Sequence, residues 1–187
     1  MAAKLKDVVE EMKAVIAAGD RISSQDRSSK ILRLAGEFLA AALGGESRNG
    51  QTAILMVDED ATHLTFAYPE HLARGNVLPI DQSSFAGQVV LKKSVLLENS
   101  VPQEPHKDFF ERIPDSSGTI RPIQKMIASP LFGKDREVIG VVEVSRAGRE
   151  SAGAEANFTP RDVENLEKSC RVFAPLIART WTRERGW

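Results

Sequence analysis

The stretch "KMIASPLFGKDREVIGVVEVSRA", Lys125 to Ala147, decides how this chain is read. Two apolar runs, Met126–Phe132 and Val138–Ser145, flank "GKDRE", a turn rich in glycine and charge, so the segment predicts an antiparallel hairpin. The second run carries Gly140 at a point where a strand should pack hardest. A glycine there leaves room for a neighbouring element that crosses closely, and close packing is the reading we adopt for it.

Working outward, "TAILMV" (52–57) and "THLTFAY" (62–68) predict a second hairpin closed by the acidic turn "DEDA". In its second strand Leu64, Phe66 and Tyr68 alternate with His63, Thr65 and Ala67, giving an apolar and a mixed face. "DQSSFAGQVVLKK" offers Asp81, Ser83 or Ser84 as a helix cap, with Phe85, Val89 and Val90 as a short apolar face. A strand over "SVLLE" (94–98) follows. Residues 99–122 hold four prolines and the pair Phe109 and Phe110, and predict a long functional loop with one short helix, "HKDFFERI". The small, polar run "AGRESAGAEAN" reads as a loose connection.

Helices occupy the two ends. Leu5, Val8, Val9, Met12, Val15 and Ile16 recur at helical spacing, and Ile31, Leu32, Leu34, Ala35, Phe38, Leu39, Ala42 and Leu43 resume a broader stripe ended by Gly44 and Gly45. Thr159, Pro160 and Asp162 mark the start of a last helix. Its residues Val163, Leu166, Cys170, Phe173, Ile177 and Trp181 form a narrow seam, with Pro175 expected to kink it. The stripe on the first helix, centred on Val8 and Met12, and this seam have no obvious partner within one protomer. They therefore predict a homodimer bundle. Residues 1–20 are expected to be a helical extension, and 21–187 a single domain that includes the last helix.

Composition narrows function. The 187 residues suit one α+β domain, and a net charge of −1 leaves no footprint for duplex nucleic acid or an anionic membrane. The amino terminus interleaves charges with apolar residues, so it is neither a signal peptide nor a spanning helix, and a cytoplasmic location is expected. A single cysteine permits no internal disulfide and no cysteine-based zinc site. His63, His71 and His106 share no metal-ligand spacing, and no phosphate-binding glycine loop or Ser/His/Asp set occurs.

The blocks "SSFAGQVVLKKSVLLEN", "IQKMIASPLFGKDREVIGVVEVSRA" and "FTPRDVENLEKSC" resemble a GAF domain, a PAS-like sensory fold, from about Ile31 to Ile177. The resemblance implies a central antiparallel sheet of five or six strands, terminal helices on one face and a small-molecule pocket under short helices and loops on the other. On that template Tyr68, Phe85, Gln88, His106, Phe109 and Phe110 would wall the pocket, and Ile127, Ser129 and Glu143 would floor it. Phe85, Phe109 and Phe110 could equally be core, and His106 a solvated cap residue. Glu143 alternates with Val142 and Val144 and so takes one face. On the pocket face it would recognise a cation or a hydrogen-bond donor; on the helical face it would pair with an arginine from a terminal helix.

The family also includes enzymes and nucleotide binders. Free methionine sulfoxide reductases share the fold but need reactive cysteines near the pocket, and a covalent bilin needs a pocket cysteine too; here the one cysteine lies on the helical seam. Phe158, Asp162 and Glu164 keep a loosened form of the cyclic-nucleotide motif, with Ser145 and Arg146 where asparagine and lysine would stand. The expected protein is a non-enzymatic sensory module, with no cofactor named, that binds a small molecule and signals to a separate output protein. The rival is a ligand-free interaction scaffold, and third a reductase.

Overall fold

The computed structural model describes residues 4–45, 50–73, 76–101, 123–147 and 156–181. Helix α1 (Leu5–Ala17) leads through a 3-10 turn at Gly19–Arg21 into α2 (Ser24–Leu43). Then come β1 (Gly50–Val57), β2 (His63–Tyr68), β3 (Val77–Pro79), α3 (Phe85–Lys92), β4 (Leu96–Glu98), β5 (Ile123–Phe132), β6 (Val138–Ala147) and α4 (Pro160–Ala178). The strands form one six-stranded sheet in the order β3-β2-β1-β6-β5-β4, with every pairing antiparallel. This is the α+β architecture expected. The predicted loop helix at 106–113 lies outside the described residues.

Local chemistry sets the helix ends. Ser23 Oγ accepts the Asp26 N–H at 3.0 Å and starts α2. Arg27 reaches back to donate to the carbonyls of Gly19 and Ile22, tying the α1–α2 turn. At α4 the Thr159 hydroxyl accepts the Asp162 N–H while Asp162 accepts the Thr159 N–H at 2.7 Å, a reciprocal capping box with Pro160 in the first turn. Pro175 stands inside α4, and the helix nevertheless runs on to Ala178.

The three long helices form a layer on one face of the sheet. Val8, Met12 and Val15 of α1, Ile31, Ala35 and Leu39 of α2, and Leu166, Cys170, Phe173 and Ile177 of α4 join Ile54, Ile127, Leu131, Val142 and Val144 in one buried cluster. Phe38 meets Phe173 edge to face at 5.8 Å. The stripe and seam expected at a dimer interface therefore find their partners inside the protomer. Val8, Met12, Leu166, Cys170, Phe173 and Ile177 are buried there, with Val163 and Trp181 half-buried against the same cluster. The reason is topological: α1, remote in sequence from α4, packs against both α4 and α2, which in turn lie on the sheet.

Three irregularities of register set which side chains face the helices. Phe132 pairs with Val138 but Leu131 with Gly140, leaving Ile139 as an extra residue in β6. Ile54 pairs with Tyr68 but Leu55 with Phe66, leaving Ala67 extra in β2. Gln124 is extra in β5, between the Ile123–Ala147 and Lys125–Arg146 pairs. Each extra residue breaks the two-residue alternation along its own strand, so that the residues beyond it face opposite to where strict alternation would put them.

Gly140 sits beside the first of these. A Cβ there would meet the Leu55 carbonyl oxygen of β1 at 2.5 Å and the Met56 sulfur at 2.9 Å. The crossing element that excludes a side chain is thus the β1 backbone, as the close-packing reading supposed. Gly140→Ala should destabilise the domain by about 1–3 kcal/mol, since the obstacle is backbone that cannot swing aside; urea unfolding would read this as a lowered midpoint. Phe173→Ala should cost about 3–5 kcal/mol by emptying the helical core, a loss that appears in the same unfolding curves whatever the oligomeric state.

Candidate functional site

On the face away from the long helices, Leu55 and Val57 of β1, Leu64 and Phe66 of β2, Met126 and Ala128 of β5 and Val141 of β6 form a second buried cluster. Helix α3 covers it with Ala86 and Val89, and Phe85 packs half-buried at its margin. Ser84 starts that helix, its hydroxyl accepting the Gly87 N–H at 3.0 Å. The preceding loop wraps close, with the Asp81 carbonyl only 2.2 Å from where a Cβ of residue 87 would stand.

One polar side chain interrupts this face. Glu143 pairs with Ala53 of β1 on one side and Ala128 of β5 on the other, so the two flanking strands present only methyl groups beside its carboxyl. It is 2% exposed. Neither carboxyl oxygen has a hydrogen-bond partner among the described residues. Burial pushes its pKa from 4.5 up to about 8, opposed only by the Ala86 backbone N–H at the start of α3, which points at the group short of a well-formed hydrogen bond. At neutral pH the isolated domain therefore holds this carboxyl largely protonated. Of the two positions left open by sequence, Glu143 takes the α3-covered face.

The buried arginine of the same strand belongs to the opposite face. Arg146 lies three residues on, buried on the helical side. There its Nε and Nη2 donate to the Leu43 carbonyl at 3.1 and 2.8 Å, and Nη1 donates to the Ala156 carbonyl. Its guanidinium lies 3.9 Å from the centre of the Phe158 ring. The position where a nucleotide-binding relative would carry lysine thus fastens α2 to the start of α4. Asp162 is occupied by its capping box.

Phe85 shares the α3 side of the sheet with Glu143, but four other expected pocket residues do not face it. Tyr68 packs against the helical layer, its ring so close to Gly36 of α2 that a Cβ there would lie 2.2 Å from it. The extra residue Ala67 turned it over. Ile127 belongs to the helical core, and Ser129 lies on that side too, its hydroxyl beside Cys170. Gln88 points along the outside of α3, donating to the Gln82 carbonyl at 3.2 Å and accepting from Lys92 at 3.1 Å. His106, Phe109 and Phe110 lie outside the described residues. Unforeseen on this face were Leu55, Phe66, Met126 and Ala128. The hairpin turn alone implies that Ile127 faces Glu143; the bulge at Ile139 puts Ala128 there instead.

Cys170 is closed off from chemistry. It is 2% exposed on the helical side, and burial pushes its thiol up to about 12 despite the Ser129 hydroxyl beside it. A thiol so placed is a poor nucleophile. Among the described residues no group of three or more acidic, histidine or cysteine side chains could hold a metal ion. No helix among them is long and apolar enough to cross a membrane.

The family model for the GAF domain matches residues 25–178. Among solved structures, a methyl-accepting chemotaxis protein (residues 122 to 287) is 20% identical, covering 92% of this chain and 96% of that one with a TM-score of 0.64. The GAF domain of a phosphoenolpyruvate-protein phosphotransferase from Acinetobacter is 14% identical, covering 93% and 90% with a TM-score of 0.62. Free methionine-R-sulfoxide reductase from Neisseria meningitidis, in complex with its substrate, is 17% identical, covering 96% and 91% with a TM-score of 0.60. Identities this low show a shared fold. A comparison with curated proteins gives no match.

Glu143 makes stability depend on pH in a defined direction. Its folded pKa is raised, so its contribution is fully present below about 4.5 and is lost as pH rises to about 8. Glu143→Gln, which does not titrate, should lack that slope. Melting temperatures from pH 5 to pH 8.5 should show the variant gaining on the wild type as pH rises; parallel curves would mean that the carboxyl is neutralised by other means.

Proposed function

The chain belongs to the GAF domain family, and on that premise we propose that it is a non-enzymatic sensory module that binds a small molecule on the α3-covered face of its sheet. The observation that carries this reading is Glu143. A carboxyl group buried without a partner costs stability, and a binding face is where such a cost has a use. The surroundings are apolar, with Leu55, Phe66, Val89 and Met126 on the same side, which is the usual composition of a small-ligand site with few polar groups to orient its occupant.

Glu143 also limits what the occupant is. A ligand bearing a cationic nitrogen or paired N–H donors would supply what this face lacks and draw the carboxyl into its ionised form. Ala53 and Ala128 keep the approach from both strands low. Binding then stabilises the liganded arrangement of the sheet and α3, and a receptor protein reads the shift in population. Structural neighbours that include a methyl-accepting chemotaxis protein and the GAF domain of a phosphoenolpyruvate-protein phosphotransferase accord with such a role.

The reductase reading has neighbours of the same fold in its favour, but it requires a reachable thiolate. Cys170 is buried in the helical layer with its thiol pushed up to about 12. No turnover of free methionine sulfoxide is expected, and a Cys170→Ser variant should leave ligand binding unchanged.

Native mass spectrometry of the purified protein, followed by denaturation to release and identify anything bound, tests the proposal. A discrete ligand retained by the wild type and lost from Glu143→Gln is the expected result. A ligand kept equally by both would remove Glu143 from the site. If the protein carries nothing and no metabolite raises its melting temperature, the scaffold reading takes over.

A further inference from the structure

A second concavity lies on the other side of the sheet. Helix α4 covers β5, whereas β4 is only three residues long and its last pair toward the turn is Leu96 with Ala128. Beyond that pair the edge of β5 continues as Ser129, Pro130 and Phe132 along a gap between α4 and the α3–β4 connection. The gap has a volume of about 560 Å³. Ala174, Pro175 and Ala178 of α4 form one wall, Val95 the other, and the β5–β6 turn at Gly133 and Lys134 closes one end.

Why this gap persists follows from three local features. Pro130 has no N–H, so β5 cannot extend its ladder outward there. Pro175 withholds from α4 the donor that would pair with the Arg171 carbonyl. Lys93, at the end of α3, adopts a left-handed conformation (φ 51°) and turns the chain sharply toward β4. Among the described residues the β4–β5 ladder thus ends at the Leu96–Ala128 pair, and the groove opens beyond it.

Charge identifies the occupant. Lys93, Lys134 and Arg171 line the groove against one acid, Glu167. None of these cations has an ion-pair partner among the described residues. Arg136 adds a further positive charge beyond the groove, over the Phe132 ring at 5.7 Å. The same turn also carries two acids, Asp135 and Glu137, the latter accepting the Asp135 N–H at 2.8 Å, and they offset Lys134 and Arg136 locally. The groove lining itself, three bases against one acid, is a local excess of positive charge around a largely apolar trough in a chain whose net charge is −1. A second copy docking here by two-fold symmetry would set the same cations against each other, which disfavours it.

We propose that the α4–β5 groove is a docking site for an acidic segment of another protein that inserts a large apolar side chain between Val95, Phe132 and Pro175. Acidic residues of that segment lie toward Lys93, Lys134 and Arg171, and its apolar anchor fills the floor. The surface is separate from the α3-covered face, so it stands whether or not a small molecule binds there.

The test uses the full chain, 15N-labelled, and a synthetic peptide, Asp-Glu-Leu-Phe-Glu-Asp, with a control in which lysine replaces each acid. At low salt the acidic peptide should shift amide resonances of Val95, Phe132, Lys134 and Ala178, and the control should not. Affinity should fall about tenfold or more in a Lys134→Glu/Arg171→Glu variant and again at high salt. Both substitutions are on exposed positions, so an unchanged melting temperature separates lost binding from lost folding. No shift with the acidic peptide overturns the proposal. So do shifts confined to the α3 side, equal binding of the lysine control, groove shifts with decanoate but not with peptide, or a dimer in sedimentation that the double variant dissociates.

Discussion

The close approach of β1 to β6 at Gly140 is the constraint on which the rest of this domain depends. The Leu55 carbonyl occupies the space that a side chain would need, and the neighbouring residue Ile139 is left over from the β5–β6 ladder. Together these fix the register of the three central strands. A slip of one residue would carry Glu143 into the helical core and Val142 and Val144 out of it, exchanging a buried apolar pair for a buried acid. The register is thus specified by burial on both faces, since β5 and β6 are covered on each side for nearly their whole length.

The helical side shows what that register secures. Arg146 emerges among the long helices, where it closes the carboxyl end of α2 through Leu43 and stacks on Phe158 just before α4 begins. Helix carbonyls carry partial negative charge at this end, so a guanidinium is well matched to them. One side chain of β6 therefore joins the sheet, the second helix and the last. Three residues away, on the opposite face, Glu143 has no such partner among the described residues. The contrast between a charge answered within the fold and one left unanswered is the basis for placing the ligand on the α3 side.

Much of this was legible in the amino-acid sequence because it rests on local signals. Both hairpins, the Ser84 and Thr159 caps, the stop after Leu43 and the family resemblance all follow from residues near one another in the chain. What escaped was the facing of side chains beyond each extra residue: Ala67 hid the turning of Tyr68, and Ile139 exchanged Ile127 for Ala128 beside Glu143. Bulges of this kind arise from strand twist and close packing with a third strand, which no pairwise pattern contains. The helical seam misled for a related reason. A stripe without a partner nearby in sequence points to a second protomer, whereas α1 and α4, at opposite ends of the chain, share one buried cluster.

The two proposed surfaces share one strand. Ala128 stands beside Glu143 on the α3 face, while the next residue, Ser129, faces the groove under α4. Successive residues of a strand project to opposite faces, so the two sites are separated by the thickness of the sheet and joined by continuous backbone. A ligand that draws β5 or β6 toward the ionised carboxyl acts on the groove floor without any intervening helix. Linkage then requires reciprocity: whatever factor the ligand imposes on docking of an acidic segment, the segment imposes on the ligand. The strand is also held by the Gly140 contact, which limits it to small displacements. Coupling through it is therefore a choice between packed arrangements of α4 over β5, not a graded deformation, and Pro175, in the wall of the groove and without a backbone donor, marks where α4 has the least internal resistance to such a change.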